Sequence, residues 1–159
     1  TLKLPLEDRK LQSRQEFLDD IAVSLGGYVA ERMIYDDFTT GASNDLQVST
    51  ALARAMVTQY GMSEKIGPVA LESPSGKVLF GQGVGDREYS EKVAAEIDAE
   101  VTRIMTEART LAEKTLKTHE KIFEIVAQRL VEKETIERDE YESLITAQGI
   151  VLKKKQGEV

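Results

Sequence analysis

Between Val93 and Leu111 the apolar residues Val93, Ile97, Val101, Ile104, Ala108 and Leu111 recur at steps of four and three. That period lays one stripe along a helix of about six turns. A helix of that length with a single apolar face has to bury it against other elements, so the chain is committed to helix packing. The stripe resumes only at Leu116, five residues on, which predicts a bend or break at 114–118. A further helix runs through Phe123, Val126, Ala127 and Leu130, and 140–147 reads as a short last helix before a basic, frayed tail.

Upstream, Ser13 and Glu16 stand in capping-box register, so a helix starts near Ser13. Its apolar residues, Phe17, Ile21, Leu25, Tyr28 and Val29 with Leu18, Ala22, Val23, Ala30, Met33 and Ile34, cover almost its whole circumference, which predicts a buried helix. Gly26 and Gly27 in its middle cost roughly 1 kcal/mol each relative to alanine, and close approach of another backbone is the reason that would offset this. A second helix spans 43–60 with Val48, Leu52, Ala55 and Met56 on one face and Gly61 as its C-cap. Thr1 to Leu6 alternates like a short edge strand limited by Pro5, and the glycine- and proline-punctuated stretch 63–85 holds two short apolar runs, 69–71 and 78–80, suited to a small hairpin. Gly81, Gly83 and Gly85 read as a flexible connection, because no strand-to-helix unit surrounds them as a phosphate-binding loop requires.

The totals exclude several functions. At 159 residues, 41% of them hydrophobic and 31% charged, the chain is a single ordered domain by default. Its net charge of −7 repels a phosphate backbone, so nucleic acid is not expected as a partner. With no cysteine, disulfides and thiolate zinc sites are ruled out within the chain. No apolar run reaches the roughly 18–20 residues that span a bilayer, so any membrane contact goes through an anchor elsewhere. His119 is the only histidine, and it reads as a solvated or capping residue at a helix junction. Any histidine-rich site therefore has to be completed from outside this chain.

One corner carries chemical interest: residues 39–46, Thr-Thr-Gly-Ala-Ser-Asn-Asp-Leu, put a single carboxylate, Asp45, into the first turn of a helix. The helix dipole stabilises an acid there by roughly 0.3–1 kcal/mol, which accounts for it structurally. The same field keeps the carboxylate ionised, as a metal ligand must be. Residue type and position leave both readings open.

The capping box at 13–16, the helix Ile-Ala-Val-Ser-Leu-Gly-Gly-Tyr-Val-Ala-Glu at 21–31, the corner at 39–46 and the run Met-Val-Thr-Gln-Tyr-Gly-Met-Ser-Glu-Lys-Ile-Gly-Pro-Val at 56–69 resemble the peptidase domain of the FtsH family of membrane-anchored, ATP-dependent zinc metalloproteases. The likeness extends through Tyr89-Ser90 to about Ile145. It implies a mainly α, helical metalloprotease domain over 1–147 with a short edge strand and a small hairpin, ending in long antiparallel helices, and a basic tail over 148–159. It also implies that Asp45 is the third zinc ligand, with Asn44 and Thr40 either orienting it or serving only to form the turn, while Glu31 reads as a solvated or salt-bridged helix residue. In the family a His-Glu-x-x-His helix supplies two ligands and the general base. No such motif occurs here, so no catalytic residue is assigned in this chain, and the expectation is a fragment that is soluble and inactive by itself. For the intact parent the resemblance implies protein substrates, a homo-hexamer, ATP and magnesium bound by a separate module, and a place at the cytoplasmic face of the bacterial inner membrane. The alternative is a non-catalytic helical assembly module.

Overall fold

The computed structural model describes residues 11–72 and 89–151. Its helices are α1 (Arg14–Ser24), α2 (Gly26–Tyr35), α3 (Ser43–Thr58), α4 (Glu91–Thr118), α5 (Glu120–Lys133) and α6 (Arg138–Ala147), with a single 3-10 turn at Thr40–Ala42. No strand occurs among the described residues, so the fold is mainly α as expected. The edge strand at 1–6 and the second hairpin run at 78–80 lie outside them, and 69–71 is irregular. The chain divides into two compact units, Thr1–Glu113 and Lys114–Val159.

In the first unit α1 begins where the capping box places it. The Ser13 backbone N–H donates to Glu16 Oε2 at 2.7 Å, and the Ser13 hydroxyl accepts the Glu16 N–H at 3.3 Å. Both orphan donors at the helix start are thereby satisfied. The expected single helix over 13–34 is instead two, joined at Leu25 just before the glycine pair. A Cβ built on Gly26 or Gly27 meets nothing within 4 Å, so no described backbone approaches them. What the glycines mark in this chain is the joint. Burial is also one-sided: Phe17, Ile21, Ala22, Leu25 and Val29 are inside, whereas Val23 and Ile34 are 73% and 57% exposed.

The core forms where α1 crosses α3 and both meet α4. Ile21, Ala53, Met56, Val57, Ile97 and Ile104 are fully covered there, each large apolar side chain contributing roughly 1.5–3 kcal/mol. The buried face of α3 runs through Ser49, Ala53, Met56 and Val57, a rotation from the expected Val48 stripe, and Val48 is 55% exposed. The residues this face buries at 49 and 53 are small, a serine and an alanine. Tyr60 closes the end of α3 by stacking on Phe17 with ring centroids 5.5 Å apart. Gly61 follows at φ +60, and the Met62 N–H returns to the Met56 carbonyl at 2.8 Å, a left-handed helix stop of the expected kind.

The α4 stripe is inside at Ala94, Ile97, Ile104, Ala108 and Ala112, while Leu111 is 40% exposed. Because Ala112 carries the stripe onward in place of Leu111, the helix passes through 114–118 unbroken and stops only at His119. His119 is exposed at the start of α5 and its side chain caps nothing, in line with its solvated reading.

In the second unit α5 buries none of its residues, and α6 buries only Ile145. The turn between them has Glu134 in the left-handed region, and α6 starts after Glu137 without a side-chain cap. The Glu140 carboxylate ties the two helices by accepting Arg129 Nε at 2.6 Å and Lys133 Nζ at 3.0 Å. Among the described residues no helix is long and apolar enough to cross a membrane.

Candidate metal centre

The corner that presents Asp45 is built from α2. Asp36 ends that helix at φ 51, turning the chain so that Phe38 lies back over it. Phe38 stacks on Tyr28 at 4.7 Å between centroids, and the Arg32 guanidinium sits 5.4 Å from the Phe38 ring on the same helix. Glu31, one residue from Arg32, accepts both the Thr39 N–H at 3.1 Å and the Thr39 hydroxyl at 3.0 Å. The Thr39 hydroxyl oxygen in turn accepts the Gly41 N–H at 3.0 Å and starts the 3-10 turn. Gly41 fits because a Cβ there would lie 3.1 Å from both Glu31 Oε1 and Thr39 Oγ1. Glu31 is thus the fastening of the corner to α2, a role more specific than the solvated or salt-bridged one its sequence position suggested.

From that turn the chain passes straight into α3, with Asp45 as its third residue. The Asp45 carboxylate is exposed and makes no hydrogen bond or ion pair with the described residues. It is not consumed as a cap, since the turn before α3 is capped by Thr39. Asn44 and Thr40 are exposed beside it, and neither side chain is hydrogen-bonded to Asp45. Among the described residues no three or more His, Cys, Asp or Glu side chains gather so as to hold a metal ion. Asp45 fits as one donor, exposed in the first turn of α3 and uncommitted, and the described residues around it supply no further ligands.

A groove of about 340 Å³ opens next to this turn, lined by Leu25, Tyr28, Leu46, Val101, Met105 and Arg109 among others. Two polar networks elsewhere in the unit were not anticipated from sequence. In one, the buried Glu100 carboxylate accepts the Ser63 hydroxyl at 2.7 Å and two Arg103 N–H groups at 3.0 and 3.1 Å. Arg103 continues to Glu107 at 2.6 Å. Hydrogen bonds from Arg103 hold the Glu100 carboxyl below the usual carboxylate range, against the opposing pull of burial and with help from Ser63. In the other, Arg54, Thr58 and Tyr89 converge on the Glu72 carboxylate. The signal for Glu100 was present, because an acid falls three residues after Ile97 and four before Ile104, in line with the stripe. Nothing in the sequence pairs Arg54 with Glu72 and Tyr89.

The family model of Peptidase family M41 matches residues 1–144. The ATP-dependent zinc metalloprotease FtsH 1 of Thermoanaerobacter sp. (strain X514) is 44% identical over 151 residues, 94% of this chain and 25% of its own length. The ATP-dependent zinc metalloprotease FtsH of Syntrophobacter fumaroxidans is 46% identical over 142 residues, covering 88% of this chain and 22% of its own length. The protein of the same name from Thermotoga maritima is 42% identical over 147 residues, 92% of this chain and 24% of its own length. The helical unit and its glycine–aspartate corner are thus those of a peptidase domain. The chain belongs to peptidase family M41, as its resemblance implied, and spans about a quarter of the length of the curated relatives it matches.

Proposed function

We propose that this chain supplies the aspartate arm of the zinc site of an ATP-dependent metalloendopeptidase, with Asp45 as the ligand. The observation that supports this is the uncommitted Asp45 carboxylate, held at the first turn of α3 by a corner that has its own cap in Thr39 and its own fastening in Glu31. In this reading the two histidine ligands and the glutamate base come from polypeptide outside these 159 residues. When bound, zinc supplies a Lewis acid that polarises a scissile peptide carbonyl. The chain's contribution is to present Asp45 from the first turn of α3 and to fix its direction through the turn, with Asn44 and Thr40 orienting it.

The wider reading follows what the resemblance to the FtsH family implies. Residues 1–147 form the peptidase domain and 148–159 a tail, and the intact protein assembles as a homo-hexamer. ATP and magnesium bind to a separate module, and a membrane anchor outside this chain places the enzyme at the cytoplasmic face of the bacterial inner membrane. Membrane and cytoplasmic proteins are its substrates, and the 159-residue chain by itself is inactive.

The test is the full gene product carrying Asp45→Asn. Metal analysis should show zinc content falling well below that of the unaltered protein, and casein degradation should fall with it, while helical content measured by circular dichroism stays the same. Undiminished zinc and degradation would sink the ligand assignment. A full gene product that binds no zinc even with Asp45 intact supports a non-catalytic helical assembly module instead.

A further inference from the structure

Glu72 and Tyr89 are separated by 16 residues in sequence, yet their side chains meet on α3. The Tyr89 hydroxyl donates to Glu72 Oε1 at 2.8 Å and accepts Arg54 Nη2 at 2.8 Å, and the same Arg54 nitrogen reaches Glu72 Oε1 at 3.0 Å. The other carboxylate oxygen lies 3.0 Å from the Thr58 hydroxyl. Beneath this, the Thr58 carbonyl accepts the backbone N–H groups of Leu71 and Glu72 at 2.7 and 3.1 Å. Arg54 also faces α4, with Nη1 3.5 Å from Asp98. Among the described residues, the charged and titratable groups around Glu72 are therefore Arg54 from α3, Tyr89 from the segment entering α4, and Asp98 of α4 through Arg54.

We propose that Arg54, Thr58, Glu72 and Tyr89 form an acid-releasable clasp, a two-state joint that holds the chain at 72 and at 89 against α3 and opens while the helical core stays folded. Three features carry it. The hydrogen bonds of the joint are polar, whereas the centre of the core, at Ile21, Met56, Val57, Ile97 and Ile104, is apolar and fully covered, and of the clasp and its neighbours Tyr89 and Leu71 pack, partly buried, against that core. It is only partly covered, with the Arg54 and Glu72 side chains 38% and 31% exposed, so water can replace each bond as it opens. Every bond in it except those of the Thr58 carbonyl, the bond from the Thr58 hydroxyl to the Arg54 carbonyl at 2.9 Å and the Arg54–Asp98 pair runs through one carboxylate or one phenol, and both can change charge.

The direction of the pH response follows from those two groups. Burial pushes the Glu72 carboxyl up, but the bonds from Tyr89, Arg54 and Thr58 and the Arg54 charge outweigh it and hold the group below its ordinary value. A folded-state value below the unfolded one means that the clasp is intact above the carboxylate range and is lost as pH falls through the folded value. Burial and the bond to Glu72 raise the Tyr89 phenol, so that contribution is present below the ordinary phenol range and is lost as pH rises through the folded value. The clasp is closed in the window between them, which includes neutral pH.

Hydrogen exchange on the full 159-residue chain tests this, because the Leu71 and Glu72 amides report the joint and the Met56 and Val57 amides report the core. Protection factors, corrected for intrinsic exchange, are compared for the unaltered chain, Glu72→Gln and Tyr89→Phe. At pH 7 both variants should lower protection at Leu71 and Glu72 at least tenfold with Met56 and Val57 unchanged. The unaltered chain should lose the same protection on acidification through the carboxylate range, and Glu72→Gln should show no such acid step. Unchanged protection at 71 and 72 in both variants would overturn the proposal, as would an acid step of equal size in Glu72→Gln. Parallel loss of protection at Met56 and Val57 would also overturn it, since the joint would then be inseparable from the fold.

Discussion

The Ser63 hydroxyl donates to the Glu100 carboxylate at 2.7 Å, and both residues are only 3% exposed. This bond joins the loop after α3 to the middle of α4 and lets a charge sit in line with the apolar stripe. Burial of an ionised carboxylate is tolerated only when its lone pairs are met, and here Ser63 and Arg103 meet them. Ser63→Ala removes one of those donors and should destabilise the chain by about 1–3 kcal/mol at pH 7 in urea unfolding followed by circular dichroism. Because the Glu100 carboxyl is held below its usual range, its contribution is present at neutral pH and is lost as pH falls through the folded value. The difference between Ser63→Ala and the unaltered chain should therefore shrink in acid. An equal difference at pH 7 and in acid would mean that the carboxylate's charge is not what Ser63 satisfies.

Glycines at 27 and 61 should respond in opposite directions. Gly61 has φ +60, and a Cβ there would lie 3.2 Å from the Pro68 backbone, so Gly61→Ala combines left-handed strain with a backbone clash. A loss of about 1–3 kcal/mol is expected. Gly27 is helical with open space around it, so Gly27→Ala should raise stability by about 0.5–1 kcal/mol through helix propensity. Thermal unfolding of the two variants beside the unaltered chain measures both. A destabilising Gly27→Ala would show that something approaches this glycine in solution.

The core should behave as a single apolar joint. Ile104 is fully buried on α4 and belongs to the cluster shared with Ile21 and Met56. Ile104→Ala leaves a cavity where α4 meets that cluster, at a cost of about 2–5 kcal/mol, whereas Leu111→Ala, at a position 40% exposed, should cost far less. Urea midpoints of the two variants discriminate the observed stripe, which passes through Ala112, from the one that continues through Leu111.

Period and local chemistry made much of this molecule legible in advance. The α1 start at Ser13, the stop at Gly61 and the inward residues Ile97, Ile104 and Ala108 all follow from spacing and capping, which act within a few residues. The errors arose where tertiary packing decides. Val48 and Ser49 are equally compatible with a helical face, and the packed structure buries Ser49 and leaves Val48 exposed. Leu111 fits a heptad-like step, yet the 3.6-residue turn drifts onto Ala112. The Glu72–Tyr89 contact joins positions that no period relates, and residue type does not announce it. At the corner, sequence located Asp45 in the first turn of α3 but did not show that Thr39 does the capping or that Glu31 fastens the turn.

That division of labour gives the last prediction. Since Thr39 caps the turn before α3, Asp45 is left with only its interaction with the helix dipole as a structural role, and the residue is exposed. Asp45→Asn in the 159-residue chain should therefore lower stability by less than about 1 kcal/mol. Glu31→Ala should do the reverse of what distance along the sequence suggests: it lies 14 residues before Asp45, yet it removes both bonds to Thr39 and loosens the turn. Hydrogen exchange at the Thr39 and Gly41 amides should rise in Glu31→Ala and stay unchanged in Asp45→Asn. The opposite pattern would make Asp45 the structural acid of the corner and leave it unavailable as a ligand.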